Sequence, residues 1–209
     1  MPAPTQLLPQ NWLYPTATGL YCEPGRFYID PHRPAERAVI THGHSDHARS
    51  GHGSVLATPE TIAIMRLRLG AGGVHSAQPL AYGEAVDIDG VRVQFAPAGH
   101  ILGSAQIVLD WRGQRAVISG DYKRGRDPTA AAFELVACDL FVTEATFGLP
   151  LFRHPDPAAE VGKLLHSLEV FADRAHLVGV YSLGKCQRLL ALIRAAGYSE
   201  PIHLDRTML

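Results

Sequence analysis

The stretch His42-Gly43-His44-Ser45-Asp46-His47 places three imidazoles and one carboxylate within six consecutive residues. The residues just before it, Arg37-Ala38-Val39-Ile40-Thr41, are mostly apolar and β-branched, a pattern that predicts a short buried strand. The residues just after it, 48–53, are small, polar or glycine and predict a loop. The cluster therefore lies where a strand ends.

The spacing of these side chains favours metal binding. His42 and His44 are two residues apart, so on an extended backbone they share a face and could bind one ion together. Asp46 and His47 follow after a turn and could reach a second position nearby. Imidazole and carboxylate suit zinc, manganese or iron, and no thiolate is present to favour a softer metal. The alternative, a surface loop that happens to be rich in histidine, fits such a dense cluster poorly.

Composition limits the class of protein. With 209 residues, 46% of them hydrophobic, the chain can form one domain, or one domain and part of another. The formal net charge of −1 excludes a global field that attracts polyanions, so any nucleic-acid binding requires a local basic patch. The cysteines, Cys22, Cys138 and Cys186, are far apart and form no C-x-x-C pair, which indicates a reducing cytoplasm rather than a disulfide scaffold.

No targeting or membrane segment is expected. The start, residues 1–6, lacks the basic residues and apolar run of a signal peptide. No apolar stretch approaches membrane-spanning length. We therefore expect a cytoplasmic protein that does not contact a membrane.

Residues 1–155 predict mostly strands, and several of these strands end at a chemically active residue. An irregular lead-in over 1–19 precedes a strand over 26–30 that ends at Asp30. Thr58 is expected to cap a helix over 59–69, and Asp89-Gly90 to join a hairpin. Further strands are predicted at 105–109, 116–119 and 140–143. Because strand ends can gather side chains from distant parts of a chain, this arrangement predicts one shared site.

From about residue 155 the pattern changes to α/β alternation. Asp156 can cap a helix over 158–170, and a strand over 176–181 is expected to follow it. A second helix over 184–196 is predicted to end at Gly197, before a last strand-like piece over 201–205. We place a domain boundary near residue 155.

The pattern His42-x-His44-x-Asp46-His47 after a strand resembles the HxHxDH signature of the metallo-β-lactamase fold. The resemblance implies that this fold's two-metal site is present.

Three further positions extend the resemblance. His100, in Ala98-Gly99-His100, resembles the third motif of the fold, an imidazole on the first metal. Asp121, in Ser119-Gly120-Asp121-Tyr122, resembles the fourth, a carboxylate that bridges both metals. Asp30 resembles the first motif, which supports the metal loop from behind the ligands. An ordinary turn aspartate before Pro31 is an equally good account of Asp30.

Other segments point to nucleic-acid-processing members of the fold. Glu144, in the segment 143–148, resembles the acidic motif that opens the β-CASP insertion, and a strand-end glutamate that caps a turn is the alternative. Lys123 and Arg124 could hold phosphate oxygens beside the metals, unless they are simply a solvated pair. Ser182 and Lys185 open a helix whose N–H groups could seat a phosphate, although an ordinary capped helix fits nearly as well.

Taken together, the chain resembles the bacterial ligase-associated DNA exonucleases, relatives of the messenger-RNA 3′-end processing nucleases. The resemblance implies an α/β fold: an incomplete metallo-β-lactamase αββα sandwich over 1–155 and the beginning of a β-CASP α/β domain over 156–209. Family members continue further and carry two more histidines, a ligand of the second metal and a proton donor. Because the chain stops at Leu209, and neither His176 nor His203 lies in a matching context, we expect a C-terminally truncated form.

The resemblance also implies a function and an assignment of residues. The reaction is metal-dependent phosphodiester hydrolysis, with DNA favoured over RNA, in a repair system that includes an ATP-dependent DNA ligase and a helicase. Two divalent ions are implied, zinc or else manganese, with Asp46 also orienting the attacking water and Glu144 supporting the later histidine. The implied ligands are His42, His44 and His100 for the first metal, Asp46 and His47 for the second, and Asp121 between them.

Two other classes of function stay open. A small-molecule metallohydrolase of the glyoxalase or lactonase kind shares the histidine cluster, but Lys123-Arg124 and the segment 143–148 argue against it. A non-catalytic nucleic-acid-binding fragment is the other alternative. The sequence does not decide the polarity of digestion, the oligomeric state or whether 209 residues is the natural length.

Overall fold

A computed structural model describes residues 8–70 and 72–208. Within them the chain forms two compact units. The first contains the residues up to 126 together with 130–144, and the second contains 127–129 together with the residues from 145 onward. The assignment of 1–155 and 156–209 to the two family domains stays a prediction.

The first sheet of the first unit has six strands, which lie side by side in chain order. Neighbours among the first three strands run antiparallel, and from the third strand onward they run parallel. The strands are β1 (Leu13–Pro15), β2 (Leu20–Cys22), β3 (Phe27–Ile29), β4 (Arg37–Val39), β5 (Ser54–Ala57) and β6 (Ala77–Pro79).

The second sheet has five strands in the order β11-β10-β9-β8-β7. Its pairs are antiparallel except for β10 and β11, which are parallel. The strands are β7 (Ala85–Ile88), β8 (Val91–Pro97), β9 (Ala105–Trp111), β10 (Gln114–Ile118) and β11 (Leu140–Val142).

The main core lies between the two sheets. Alternate side chains of the strands point inward, and Phe27 and Val39 from the first sheet join Phe95, Ile107 and Leu109 from the second in one buried cluster. Such interleaved apolar burial is the main stabilising term of a sandwich. Two packed sheets with a helix on one outer face confirm the α/β sandwich that was predicted.

That helix, α1 (Pro59–Leu69), covers part of the first sheet's outer face, where Ile62 and Met65 join a second buried cluster with strand residues such as Val55. Its ends follow the predicted capping chemistry. Thr58 Oγ1 accepts a hydrogen bond from Thr61 N at 3.2 Å, and Gly70 follows the last turn with φ +74°.

The prediction of an irregular lead-in over 1–19 is wrong in part. Leu13–Pro15 forms the edge strand β1 and pairs with β2, while residues 1–7 lie outside the described part of the chain. Three residues ending in proline carry little local strand signal, because proline lacks an N–H group and is confined to sheet edges. The pairing with β2 therefore decides the conformation.

The second unit contains two helices, α2 (Pro157–Val170) and α3 (Lys185–Ala195), which contact each other. Asp156 caps α2 through Ala158 N, as predicted. The strands predicted at 176–181 and 201–205 are not formed, and neither segment pairs with another strand among the described residues. Leu177 is 97% exposed. An apolar, β-branched segment is competent to form a strand, but it becomes one only where a partner supplies the ladder of hydrogen bonds.

No helix in the described part of the chain is long and apolar enough to span a membrane.

Candidate metal centre

The predicted ligands come from three loops, each of which follows a strand of the sandwich. His42, His44, Asp46 and His47 follow β4, His100 follows β8, and Asp121 follows β10. The His100 loop lies more than fifty residues after the first loop in the sequence. The two packed sheets nevertheless bring the three loops to one place. The juxtaposition agrees with the expectation that strand ends meet at one site.

Four of the predicted ligands form a compact group: His42, His44, His100 and Asp121. His44 Nδ1 lies 3.0 Å from His42 Nε2 and 3.1 Å from His100 Nε2. Asp121 Oδ2 lies 3.6 Å from His100 Nε2 and 3.9 Å from His42 Nε2. Ligands placed tetrahedrally about 2.0–2.1 Å from a zinc ion are roughly 3.3 Å apart, so this donor set fits such an ion. It is the one group of this kind that the described residues contain.

Asp121 also faces His47, which is the feature expected of a bridging carboxylate. Its second oxygen, Oδ1, lies 3.4 Å from His47 Nε2, while Oδ2 faces the first group. Asp46 Oδ2 lies 3.7 Å from the same His47 nitrogen, and the Asp46 side chain is 73% exposed. Two metal positions that share Asp121 remain a prediction, and this geometry supports it.

Asp30 lies directly behind the ligands, where the first-motif resemblance puts it. One of its oxygens, Oδ2, is 2.7 Å from His47 Nδ1 and accepts a hydrogen bond from Thr41 Oγ1 at 2.6 Å. The other, Oδ1, accepts from Thr41 N at 2.8 Å. An ionised carboxylate can only accept, so Asp30 orients His47 Nε2 towards Asp121.

The loop that carries His100 is held by hydrogen bonds that the sequence did not reveal. Ser104 Oγ accepts from His100 N at 3.0 Å and from Ile101 N at 3.1 Å. The Thr58 hydroxyl at the start of α1 donates to Gly103 O at 2.7 Å. The sequence did offer one signal for these hydrogen bonds, a serine four residues after the candidate ligand. Serine side chains often bond nearby backbone N–H groups.

Glycine is required where the Asp121 loop passes the histidine loop. Gly120 has φ +54°, and a Cβ atom there would lie 2.7 Å from Thr41 Cβ. Gly99, just before His100, has φ +73°. The small residues next to His100 and Asp121 therefore allow close approach of the ligand loops.

The electrostatics of the site keep two histidines neutral. Burial lowers the pKa of His42, and the neighbouring His47 and His100 lower it further. Burial also lowers the pKa of His100 to about 4, although Asp121 opposes the shift. Neutral imidazoles offer the lone pairs that a metal ion requires at neutral pH.

The pKa shifts of His47 and Asp121 instead favour the charged form of each side chain. Burial lowers the pKa of His47, but hydrogen bonds with Asp121 and Asp30 outweigh it and raise this pKa to about 10. The hydrogen bond with His47 lowers the pKa of Asp121. In the metal-free chain, His47 is therefore a cation that holds Asp121 and Asp30 together.

These shifts predict that the metal-free chain is most stable near pH 6.5. Below that pH, the unfolded chain protonates His42 and His100 while the folded chain does not, so stability falls as the pH falls towards 4. Above it, the folded chain keeps a proton on His47 that the unfolded chain has lost, so stability falls as the pH rises towards 10. Each such proton changes the free energy of unfolding by about 1.4 kcal/mol per pH unit.

Urea unfolding in the presence of a chelator at pH 5, 6.5 and 8.5 measures this profile. His47→Gln serves as the control, because it should flatten the alkaline limb and leave the acid limb in place. A metal-free stability that rises steadily from pH 6.5 to 8.5 would contradict the assignment of His47.

The remaining predicted residues lie in both units. In the first unit, Lys123 lies close enough to His100 to lower its pKa, Glu144 acts on His100 in the opposite sense, and Arg124 is exposed. Glu144 Oε1 accepts a hydrogen bond from Tyr122 N at 3.4 Å.

In the second unit, Ser182 and Lys185 are exposed at the start of α3, and the Lys185 ammonium lies 4.3 Å from the ring centroid of Tyr181. Two N–H groups at this helix start already have partners within the chain, because Gly184 N donates to Gln187 Oε1 and Cys186 N to Tyr181 O. The roles of Ser182, Lys185, Lys123, Arg124 and Glu144 stay predictions.

Comparison with curated proteins finds relatives along most of the chain. A probable DNA ligase of Opitutus terrae is 32% identical over 199 residues, which cover 92% of this chain and 19% of that protein. Cleavage and polyadenylation specificity factor subunit 3-I of Arabidopsis thaliana is 26% identical over 213 residues, covering 87% of this chain and 30% of that protein. Ribonuclease TTHA0252 of Thermus thermophilus is 29% identical over 213 residues, which cover 87% of this chain and 48% of that protein.

The chain is a homologue of metallo-β-lactamase/β-CASP proteins. This confirms the resemblance seen in the motifs. The metallo-β-lactamase/β-CASP homologue described here spans between about a fifth and a half of the length of these relatives. Comparison with models of protein families gives no match.

Proposed function

We propose that this chain forms the metal site of a metal-dependent nuclease that hydrolyses phosphodiester bonds in nucleic acid. The observation that carries the proposal is the group of four ligand atoms in His42, His44, His100 and Asp121. Two divalent ions, zinc or else manganese, fit a donor set of imidazoles and carboxylates. Bound there, they would activate a water molecule and neutralise charge on the phosphoryl oxygens.

The chain's own residues supply the remaining chemistry. Asp46, exposed and 3.7 Å from His47, would orient the attacking water and receive its proton. Lys123, beside His100, offers a positive charge to a phosphate oxygen, and the exposed Arg124 extends that charge outward. Glu144 would support a proton donor. Ser182 and Lys185, at the start of α3, would bind a phosphate group.

We infer that the substrate is DNA, digested from an end, in a cytoplasmic repair system with an ATP-dependent ligase and a helicase. The match to a protein named a probable DNA ligase supports this choice. RNA is the second candidate, because other relatives are named as a ribonuclease and as endoribonucleases.

The substrate class can be tested directly with a full-length form of the protein in excess zinc or manganese, beside the 209-residue chain, which is expected to be poorly active. Single-stranded DNA, end-frayed duplex DNA and RNA of the same sequence are compared with a β-lactam, a lactone and a thioester. We expect cleavage of single-stranded or end-frayed nucleic acid and no turnover of the β-lactam, because the charge of Lys123 acts on His100 and the neighbouring Arg124 is exposed to solvent.

Lys123→Ala is the matched variant for this assay. It should weaken cleavage about 10-fold or more, since a charge-assisted contact to phosphate is lost, while the metal content stays unchanged. Efficient hydrolysis of the lactone or thioester with DNA and RNA left intact would instead show a small-molecule hydrolase. Binding of nucleic acid without cleavage would identify a non-catalytic fragment.

A further inference from the structure

One buried hydroxyl connects the ligands to the residues behind them. Thr41 lies between β4 and His42, and it is 1% exposed. Its Oγ1 donates a hydrogen bond to Asp30 Oδ2 at 2.6 Å and lies 3.0 Å from His42 Nδ1. The same Asp30 oxygen is 2.7 Å from His47 Nδ1. Thr41 and Asp30 thus connect a ligand of the first metal position to a ligand of the second.

The direction of these hydrogen bonds determines the tautomer of His42. A threonine hydroxyl has a single proton, and the ionised carboxylate of Asp30 can only accept it. The Thr41 oxygen must therefore accept a hydrogen bond from the Nδ1–H group of His42. With the proton on Nδ1, the lone pair of neutral His42 lies on Nε2, the atom that faces His44 and Asp121.

Thr41 also contacts the loops that carry the other ligands. Its carbonyl oxygen accepts a hydrogen bond from Ala105 N at 2.8 Å, at the start of β9 and just after the His100 loop. Its side chain packs against Gly120, the residue before Asp121, so closely that a Cβ atom there would lie 2.7 Å from Thr41 Cβ. All three ligand loops therefore contact this one residue or begin beside it.

We propose that Thr41 is a positioning residue that sets the tautomer of His42 and holds the ligand loops in register. The proposal rests on the metal site of the proposed function. Without the hydroxyl, the His42 Nδ1–H group would lose its acceptor inside a buried site, and a buried unpaired donor is costly. The ring could then protonate on Nε2 instead, which would turn its lone pair away from the metal position.

Two variants separate the hydroxyl from the shape of the side chain. Thr41→Val keeps the branched shape and removes the hydroxyl, whereas Thr41→Ser keeps the hydroxyl and removes a methyl group. Zinc affinity is measured by competition with a chromophoric chelator, and the stability of the metal-free chain is measured by urea unfolding. We expect the Val variant to bind zinc about 10–100-fold more weakly than wild type, as for other residues that orient metal ligands, and the Ser variant to bind within about threefold.

Unfolding data distinguish this role from a purely structural one. If Thr41 only packs, metal-free stability changes while zinc affinity stays at the wild-type value in both variants, and the proposal is overturned. Should the Val variant fail to fold, imidazole ¹H–¹⁵N spectra of metal-free wild type provide a second test. A proton on His42 Nδ1 is expected, and a neutral His42 protonated on Nε2 would overturn the proposal.

The two proposals fail in different ways. A large difference in zinc affinity between the Val and Ser variants, with no cleavage of any nucleic acid by wild type, would refute the nuclease and keep the role of Thr41. Cleavage of nucleic acid by wild type, with equal zinc affinity in all three forms, would refute the role of Thr41 alone. If wild type binds no zinc or manganese, both proposals are overturned.

Discussion

Asp121→Asn is expected to reduce the proposed nuclease activity of a full-length form by roughly 10³-fold or more while the fold is retained. Among the predicted ligands, Asp121 is the one whose two oxygens face both predicted metal positions, with Oδ2 3.6 Å from His100 Nε2 and Oδ1 3.4 Å from His47 Nε2. Asparagine has nearly the same shape, but it carries no charge to balance two divalent ions. Both metal positions should therefore weaken together.

The same substitution has a second expected effect. The hydrogen bond with Asp121 is the strongest influence that raises the pKa of His47, so this pKa should fall from about 10 in the metal-free variant. Cleavage rate, metal content and the NMR titration of His47 are measured on one preparation. Circular dichroism checks the fold. Near-normal cleavage with unchanged metal content would remove Asp121 from the site.

Zinc is expected to stabilise the chain by several kcal/mol, with the first equivalent responsible for most of the effect. The first position has four ligand atoms in one compact group, and two of its histidines are neutral at pH 7. A ligand present at about 1,000 times its dissociation constant stabilises the native state by about 4 kcal/mol. The second position requires His47 to lose a proton that Asp30 and Asp121 hold in place, which weakens binding there.

Matched histidine variants test which residues produce this stabilisation. His44→Ala removes the nitrogen that lies 3.0–3.1 Å from both other imidazoles of the group, and it should abolish most of the zinc-dependent stabilisation. His75→Ala changes an exposed histidine outside the group and should leave it intact. Thermal unfolding at several zinc concentrations measures both. Equal zinc responses in the two variants would show that the cluster is not the binding site.

Features encoded locally could be predicted from the sequence. His42, His44 and His47 lie in one short stretch, and the strands predicted before His42 and Asp121 end within about two residues of the strands in the structure. The ends of helix α1 could be predicted from Thr58 and Gly70, because helix capping depends on residues that are neighbours in the sequence. Short-range spacing and residue type therefore predicted the strands and the metal-binding histidine cluster, whereas the sandwich and the roles of His100 and Asp121 came from the family resemblance.

Features that depend on distant partners could not be predicted in the same way. Thr41 meets Asp30 only because β3 and β4 pair in parallel, with Asp30 in a left-handed conformation at φ +43°. The segment 176–181 has the composition of a strand, yet no described strand pairs with it. The side-chain pattern of this segment indicates only a preference for extended structure. Whether a strand forms depends on a neighbouring strand that can pair with it.

The binding of a metal ion by His42, His44, His100 and Asp121 together is the proposal on which the others depend. It is tested most directly by metal analysis of the 209-residue chain after zinc loading and exhaustive dialysis, beside His44→Ala treated identically. The structure predicts about one tightly held zinc per chain, a second that dialysis removes, and little retained metal in the variant. A wild-type chain that retains no zinc, or a His44→Ala variant that retains as much as wild type, would contradict the account.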